Sequence, residues 1–170
     1  MELYSKINLP NYRFLPGRNA HPHKSGGHGW GKNLESKEFH QSLYGKENLL
    51  RDELFYQAVD LFNNAYYWES HVALEALWNG VKRIGDDGQF FKGFILLNAA
   101  GVKGRLEHYP AMQGHLHRSL EIFKLLPIKQ GLYKNVSLFE CLNFLEKEMP
   151  ETSRFQKDEM FFPFKIYLEP

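Results

Sequence analysis

From Lys46 to about Pro150, apolar residues return every three or four positions, and the breaks in that rhythm mark about five helices. Leu50, Leu54, Ala58, Leu61 and Phe62 carry the first as far as an Asn63-Asn64 turn. The second, from Tyr66 to about Ile84, is so dense in aromatic and aliphatic residues that the other helices are expected to pack on it. Asp86 or Asp87 is placed to cap a third helix that runs to about Glu107 and buries Phe90, Phe91, Phe94, Ile95, Leu97 and Val102. Gly93, Gly101 and Gly104 within it each cost about 1 kcal/mol relative to Ala, which points to a close helix crossing. Pro110 opens a fourth helix that reaches Leu126, and Ser137 with Glu140 reads as the capping box of a fifth that stops before Pro150.

Outside this span the period is lost. Residues 1–45 carry Pro and Gly throughout, yet Tyr12, Phe14, Leu15 and Trp30 are too apolar for a free tail. They read as an extended arm laid on a helical domain of residues 46–150, with residues 151–170 as an extended tail packed back on it. The expected fold is all-α, a compact antiparallel bundle of about five helices with an irregular N-terminal strap.

At about 100° per residue, Tyr67, Leu74, Trp78 and Val81 form one stripe of the second helix, with His71 beside it and Glu75 at its edge near Trp68. Ala73, Ala76, Gly80 and Glu69 lie on the other side. This reading turns His71 and Glu75 toward the core, where residues four apart can hydrogen-bond. Asn98 and Arg105, seven apart on the third helix, are then the expected partners. Tyr67, Trp68, His71, Glu75, Trp78, Asn98 and Arg105 would form one buried polar network in an aromatic setting, and His71→Ala would cost roughly 2–4 kcal/mol.

Charge and cysteine content narrow the partners. With 21 Lys and Arg against 20 Asp and Glu, there is no basic field for nucleic acid. The best apolar run, Gly93 to Val102, is too short to cross a membrane. The lone Cys141 allows no disulfide within the chain, and the first residues lack a signal-peptide pattern, so a cytoplasmic setting is expected.

The string F-N-N-A-Y-Y-W-E-S-H-V-A-L-E-A-L-W, residues 62–78, resembles the helical family catalogued as domain of unknown function 309, and so does F-F-K-G-F-I-L-L-N-A-A-G-V-K, residues 90–103. The resemblance covers about residues 46–126, and Y-R-F-L-P-G-R-N-A-H-P-H with G-G-H-G-W-G looks like the N-terminal extension of one branch. It implies a compact helical bundle and no particular activity. The polar residues it shares are Asn63, Glu69, His71 and Glu75. Ala65 stands where the family commonly has Gly, and Val72 where it commonly has a second Glu, which removes a potential carboxylate ligand.

Two classes of function remain. The preferred one is a non-catalytic binding or scaffold module for an unknown small molecule or protein, needing no cofactor, with a homodimer among the states allowed. The alternative is a metal-dependent hydrolase-like enzyme with His71, Glu75 and Glu69 as its catalytic candidates. Zinc requires at least three protein ligands, so a divalent metal at His71 would need imidazoles from His21, His23 or His28 in the arm, or from His115. The enzyme demands that arm histidines converge on His71; the module does not.

Overall fold

The computed structural model describes residues 3–149 and 162–170, and among these the fold is predominantly helical. In chain order come α1 (Lys37–Ser42), a 3-10 turn (Leu49–Arg51), α2 (Glu53–Asn63), α3 (Tyr67–Gly80), α4 (Gly85–Arg105) and α5 (Tyr109–Lys124). After β1 (Leu132–Tyr133) and β2 (Val136–Ser137), α6 (Phe139–Asn143) runs into a π turn at Phe144–Glu148, and β3 (Tyr167–Leu168) follows. The all-α expectation holds, with an antiparallel three-stranded sheet added in the order β1-β2-β3.

Each of α2 to α5 packs on the next. Asp52 caps α2, its carboxylate accepting the Leu54 N–H at 3.0 Å. The helix ends in a Schellman turn, with Tyr66 N–H donating to the Leu61 carbonyl and Ala65 N–H to that of Phe62. Ala65 occupies the left-handed position of that turn at φ 62°, a conformation that glycine adopts more readily. The crossings of α4 are set by glycine: a Cβ on Gly101 would lie 2.5 Å from the Tyr67 ring, and one on Gly93 would lie 2.6 Å from that of Phe123. Ser119 secures the second crossing by donating to the Gly93 carbonyl at 2.9 Å. Phe55, Phe62, Phe90, Phe91 and Phe94 fill the centre, edge to face.

Three local expectations differ. Asp86 and Asp87 lie inside the first turn of α4 and do not cap it; Ile84 holds the N-cap position, and Asp87 accepts from the Tyr133 hydroxyl and from Lys134, both at 2.7 Å. Ser137 belongs to β2 and the N-cap of α6 is Leu138, with no side-chain bond, because pairing with β3 fixes Ser137 as extended. A short helix, α1, forms within the Pro/Gly-rich region, capped by Ser36.

Both ends of the chain are fastened to α2 and α3. Asp60, fully buried, accepts the N–H groups of Tyr4 and Ser5 and the Ser5 hydroxyl at 2.6–2.9 Å. Asn63 pairs through its amide with both backbone groups of Ile166, at 2.7 and 2.9 Å. Phe162, Phe164 and Ile166 are buried at alternate positions, and the Leu168 N–H reaches the Tyr4 hydroxyl at 3.3 Å. Residues 151–161 of the expected tail lie outside the described residues.

Candidate functional site

α3 is buried almost all round. Ala73, Ala76 and Gly80 face the core as closely as Leu74 and Leu77 do. What stays half-open is a single stripe at helical spacing: Trp68, His71, Glu75, Trp78 and Asn79.

This corrects the inward placement of His71 and Glu75. Their side chains keep 27% and 47% of their exposure, and they pair with each other at 3.4 Å. Neither bonds to Asn98 or Arg105. Asn98 is fully buried and its amide donates to the Phe94 carbonyl one turn back, at 3.1 Å. Arg105 is half-buried in the last turn of α4. Tyr67 packs inward against Gly101 and accepts the Phe162 N–H at 3.2 Å. The expected single network is therefore divided among separate places. The small residues Ala73, Ala76 and Gly80 take a buried side, as their size allows, and at Gly80 the close neighbours are Leu43 and Leu49.

Glu69 takes the buried position instead, with no exposure. One oxygen accepts the Phe14 N–H at 3.0 Å and His28 Nε2–H at 2.9 Å; the other is buried without a hydrogen-bond partner from the protein. Burial raises the carboxyl above its ordinary value, and the two donors only partly oppose this. Because Trp30 N–H donates to His28 Nδ1 at 3.1 Å, the imidazole proton sits on Nε2, facing Glu69.

The other arm histidines gather at Trp68. His21 and His23 lie with their ring centroids 5.5 and 5.9 Å from its own, and Phe14 lies at 5.0 Å. His23 Nε2 meets the Trp30 carbonyl at 3.1 Å and Nδ1 the Glu35 carboxylate at 3.3 Å, while His21 Nδ1 accepts the His23 N–H at 3.3 Å. Most of these nitrogens are thus committed to holding the arm. Among the described residues, no three His, Cys, Asp or Glu side chains are placed to share a metal ion.

Along the rest of the stripe, the arm and α3 leave a hollow of about 190 Å³ lined by Leu34, Glu35, His40, Val72, Glu75 and Asn79. His40 is set by Nε2–H donating to the Leu34 carbonyl at 2.8 Å. The hydrogen bond from His71 holds the Glu75 carboxyl below its ordinary value, with Arg83 and His40 adding to the effect. Arg83 lies over the Trp78 ring at 4.5 Å and donates to Asn79 at 2.8 Å, closing that end. On the opposite side, His115 of α5 is pressed below its ordinary value by burial and then by Arg118, Lys103 and His71. Cys141 is buried and its thiol is pushed up by that burial, away from the nucleophilic form.

Fold and site define a helical bundle strapped by its own N-terminal arm, with one half-open polar stripe on its central helix. Residues 55–114 match the model of the family described as Domain of unknown function (DUF309), so the resemblance read in the central helices is confirmed from α2 into α5. Neither the curated proteins nor the solved structures gave a match. Asp60 and the burial of Glu69 were missed by sequence reasoning. The available signal was that Glu69 shares a helix face with Ala73, Ala76 and Gly80, a face of small residues suited to close packing.

Proposed function

We propose that this protein is a non-catalytic binding module that receives a small molecule or a protein side chain on the half-open stripe of α3, at His71 and Glu75. The supporting observation is the 190 Å³ hollow where arm and helix meet, whose apolar floor of Leu34 and Val72 is flanked by Glu35 and Glu75. Pockets of this mixed kind take ligands whose few polar groups are matched by convergent side chains. The arm histidines serve as its fastening, which favours a module over a hydrolase that draws ligands from the arm. No cofactor enters this reading, and a reducing, cytoplasmic setting suits the free thiol of Cys141.

Native mass spectrometry of untagged protein tests it. The expected result is a retained small molecule or partner that is lost from Glu75→Gln and His71→Ala while both variants stay folded. A transition metal that is lost from His71→Ala or His21→Ala would overturn the module in favour of a metal-dependent enzyme.

A further inference from the structure

We propose that the hollow between the arm and α3 binds an alkylammonium group, its charge held by Glu35 and Glu75 and its carbon chain laid on Leu34 and Val72. The inference rests on the reading that this hollow binds, and it adds the charge and shape of what is bound there.

Two acids from different elements line the same hollow: Glu35 from the arm, just before α1, and Glu75 from α3. Their side chains keep 56% and 47% of their exposure, so both are reachable from solvent. Leu34 and Val72 supply the apolar surface beside them. A volume of about 190 Å³, at about 30 Å³ for each water-sized atom, takes roughly six heavy atoms, the size of an ammonium on a short alkyl chain.

Neither acid is neutralised by a lysine or arginine among the described residues. The partner of Glu35 is His23 Nδ1 at 3.3 Å, while His23 Nε2 lies 3.1 Å from the Trp30 carbonyl. A carbonyl only accepts, so Nε2 carries the proton, and in the neutral ring Nδ1 is an acceptor turned toward a carboxylate. The partner of Glu75 is His71 Nε2 at 3.4 Å, which in the neutral ring brings no charge. Arg83 stands at the Asn79 end, where its Nε donates to Asn79 at 2.8 Å and its guanidinium lies over Trp78 at 4.5 Å. Other acids of the fold meet lysines directly: Asp52 with Lys46, Glu121 with Lys124 and Asp87 with Lys134.

His40 adds an acceptor to the hollow. Its Nε2–H donates to the Leu34 carbonyl at 2.8 Å, which leaves the lone pair of the neutral ring on Nδ1. An ammonium has three donors and no acceptor, and two carboxylates with an imidazole nitrogen match it. Two carboxylates that share a small space repel one another, and a cation placed with them relieves the repulsion and gains charge-assisted hydrogen bonds. An anion would add to the repulsion, and a neutral ligand would leave both charges uncompensated.

The methyl resonances of Leu34 and Val72, assigned through Leu34→Ala and Val72→Ala, report on the hollow. They are followed against butylammonium, Nα-acetyl-lysine N-methylamide and n-butanol at constant ionic strength in sodium chloride. The expected result is a saturable shift with an ammonium, a weaker one with n-butanol, and affinity about fivefold or more weaker in Glu35→Gln/Glu75→Gln, as two half-exposed ion pairs together imply. Tighter binding of the blocked lysine identifies a lysine side chain of a protein, and tighter binding of butylammonium identifies a free amine. No saturable shift with either ammonium, an equal response to n-butanol, or an undiminished response in the folded double variant overturns the alkylammonium site. If that happens while a ligand retained by the native protein still depends on His71 and Glu75, the assignment of charge alone has failed and the binding module stands.

Discussion

Glu69 is the residue on which the arm turns, and its chemistry is unusual for a fastening. A buried carboxylate with two donors on one oxygen and none from the protein on the other is costly to keep ionised. Its folded carboxyl is raised above the ordinary value of 4.5, so the native state holds the proton more tightly than the unfolded chain does. Its contribution to stability therefore falls as pH rises from 4.5 through the raised value, and the penalty is complete above that. Glu69→Gln keeps an acceptor for Phe14 and His28 without the charge. It should melt higher than the native protein at neutral pH, and calorimetry across pH should find the gap closing toward pH 4; a constant gap would contradict ionisation as the cause. Glu69→Ala removes the acceptor and should cost about 2–3 kcal/mol. By contrast His71→Ala should cost only about 0.3–0.5 kcal/mol, because the pair it breaks is half-exposed; a loss of several kcal/mol in urea titration would restore the buried reading. Ala65 gives a third test. Ala65→Gly relieves a left-handed alanine and should stabilise by about 0.5–1 kcal/mol net of the added backbone entropy, readable as a higher midpoint in denaturant.

At the level of the elements, the helices were legible and their burial was less so. α2 and α5 each show one clear apolar face in sequence, whereas α4 is buried on nearly all sides from Phe90 to Gly104 and is marked by its apolar run and by Gly93 and Gly101 at its crossings. α3 has little contrast between its sides because nearly all of it is buried, so large aromatic residues drew the core direction toward His71 when the small residues held it. The arm's anchor at Glu69 could not be read, since its donors are a backbone N–H 55 residues upstream and an imidazole 41 residues upstream. Two-residue strands are too short to show a period of two, and β2 finds β3 only 30 positions further on. The crossings yield a paired test. Gly101→Ala drives a methyl into the Tyr67 ring and should destabilise by about 1–3 kcal/mol. Gly114→Ala, in an exposed part of α5 with nothing within 4 Å of the new methyl, should stabilise by about 0.8–1 kcal/mol. Thermal melts of the two should move in opposite directions.

Across the whole molecule, α2 and α3 hold both ends of the chain through polar side chains that bind backbone: Asp60 and Glu69 hold the arm, and Asn63 holds the segment at Ile166. Asn63→Ala leaves both backbone groups of Ile166 without their partner and should cost about 2–3 kcal/mol. Hydrogen exchange should show faster exchange confined to Ile166 and its neighbours in the small sheet while α4 and α5 stay protected; exchange spread evenly over the helices would mean that this anchoring is not local.

The bond between Leu168 and Tyr4 joins residues 164 positions apart, which gives the protein an order of assembly. On a ribosome, the arm can meet its partners as soon as α3 has been made, because they follow it closely in the chain. Asp60 and Glu69 accept from Tyr4, Ser5 and Phe14, the Asn64 carbonyl accepts from Arg13, and the Tyr66 hydroxyl donates to the Pro10 carbonyl. Phe62 has a longer wait: two of the rings that cover it, Phe162 and Phe164, are translated about a hundred residues later. Tyr67 and Phe94 can cover one part of Phe62 early, and the part that Phe162 and Phe164 cover waits for the end of the chain. The segment from Phe162 to Leu168 is thus the last piece to be made of the cover over Phe62.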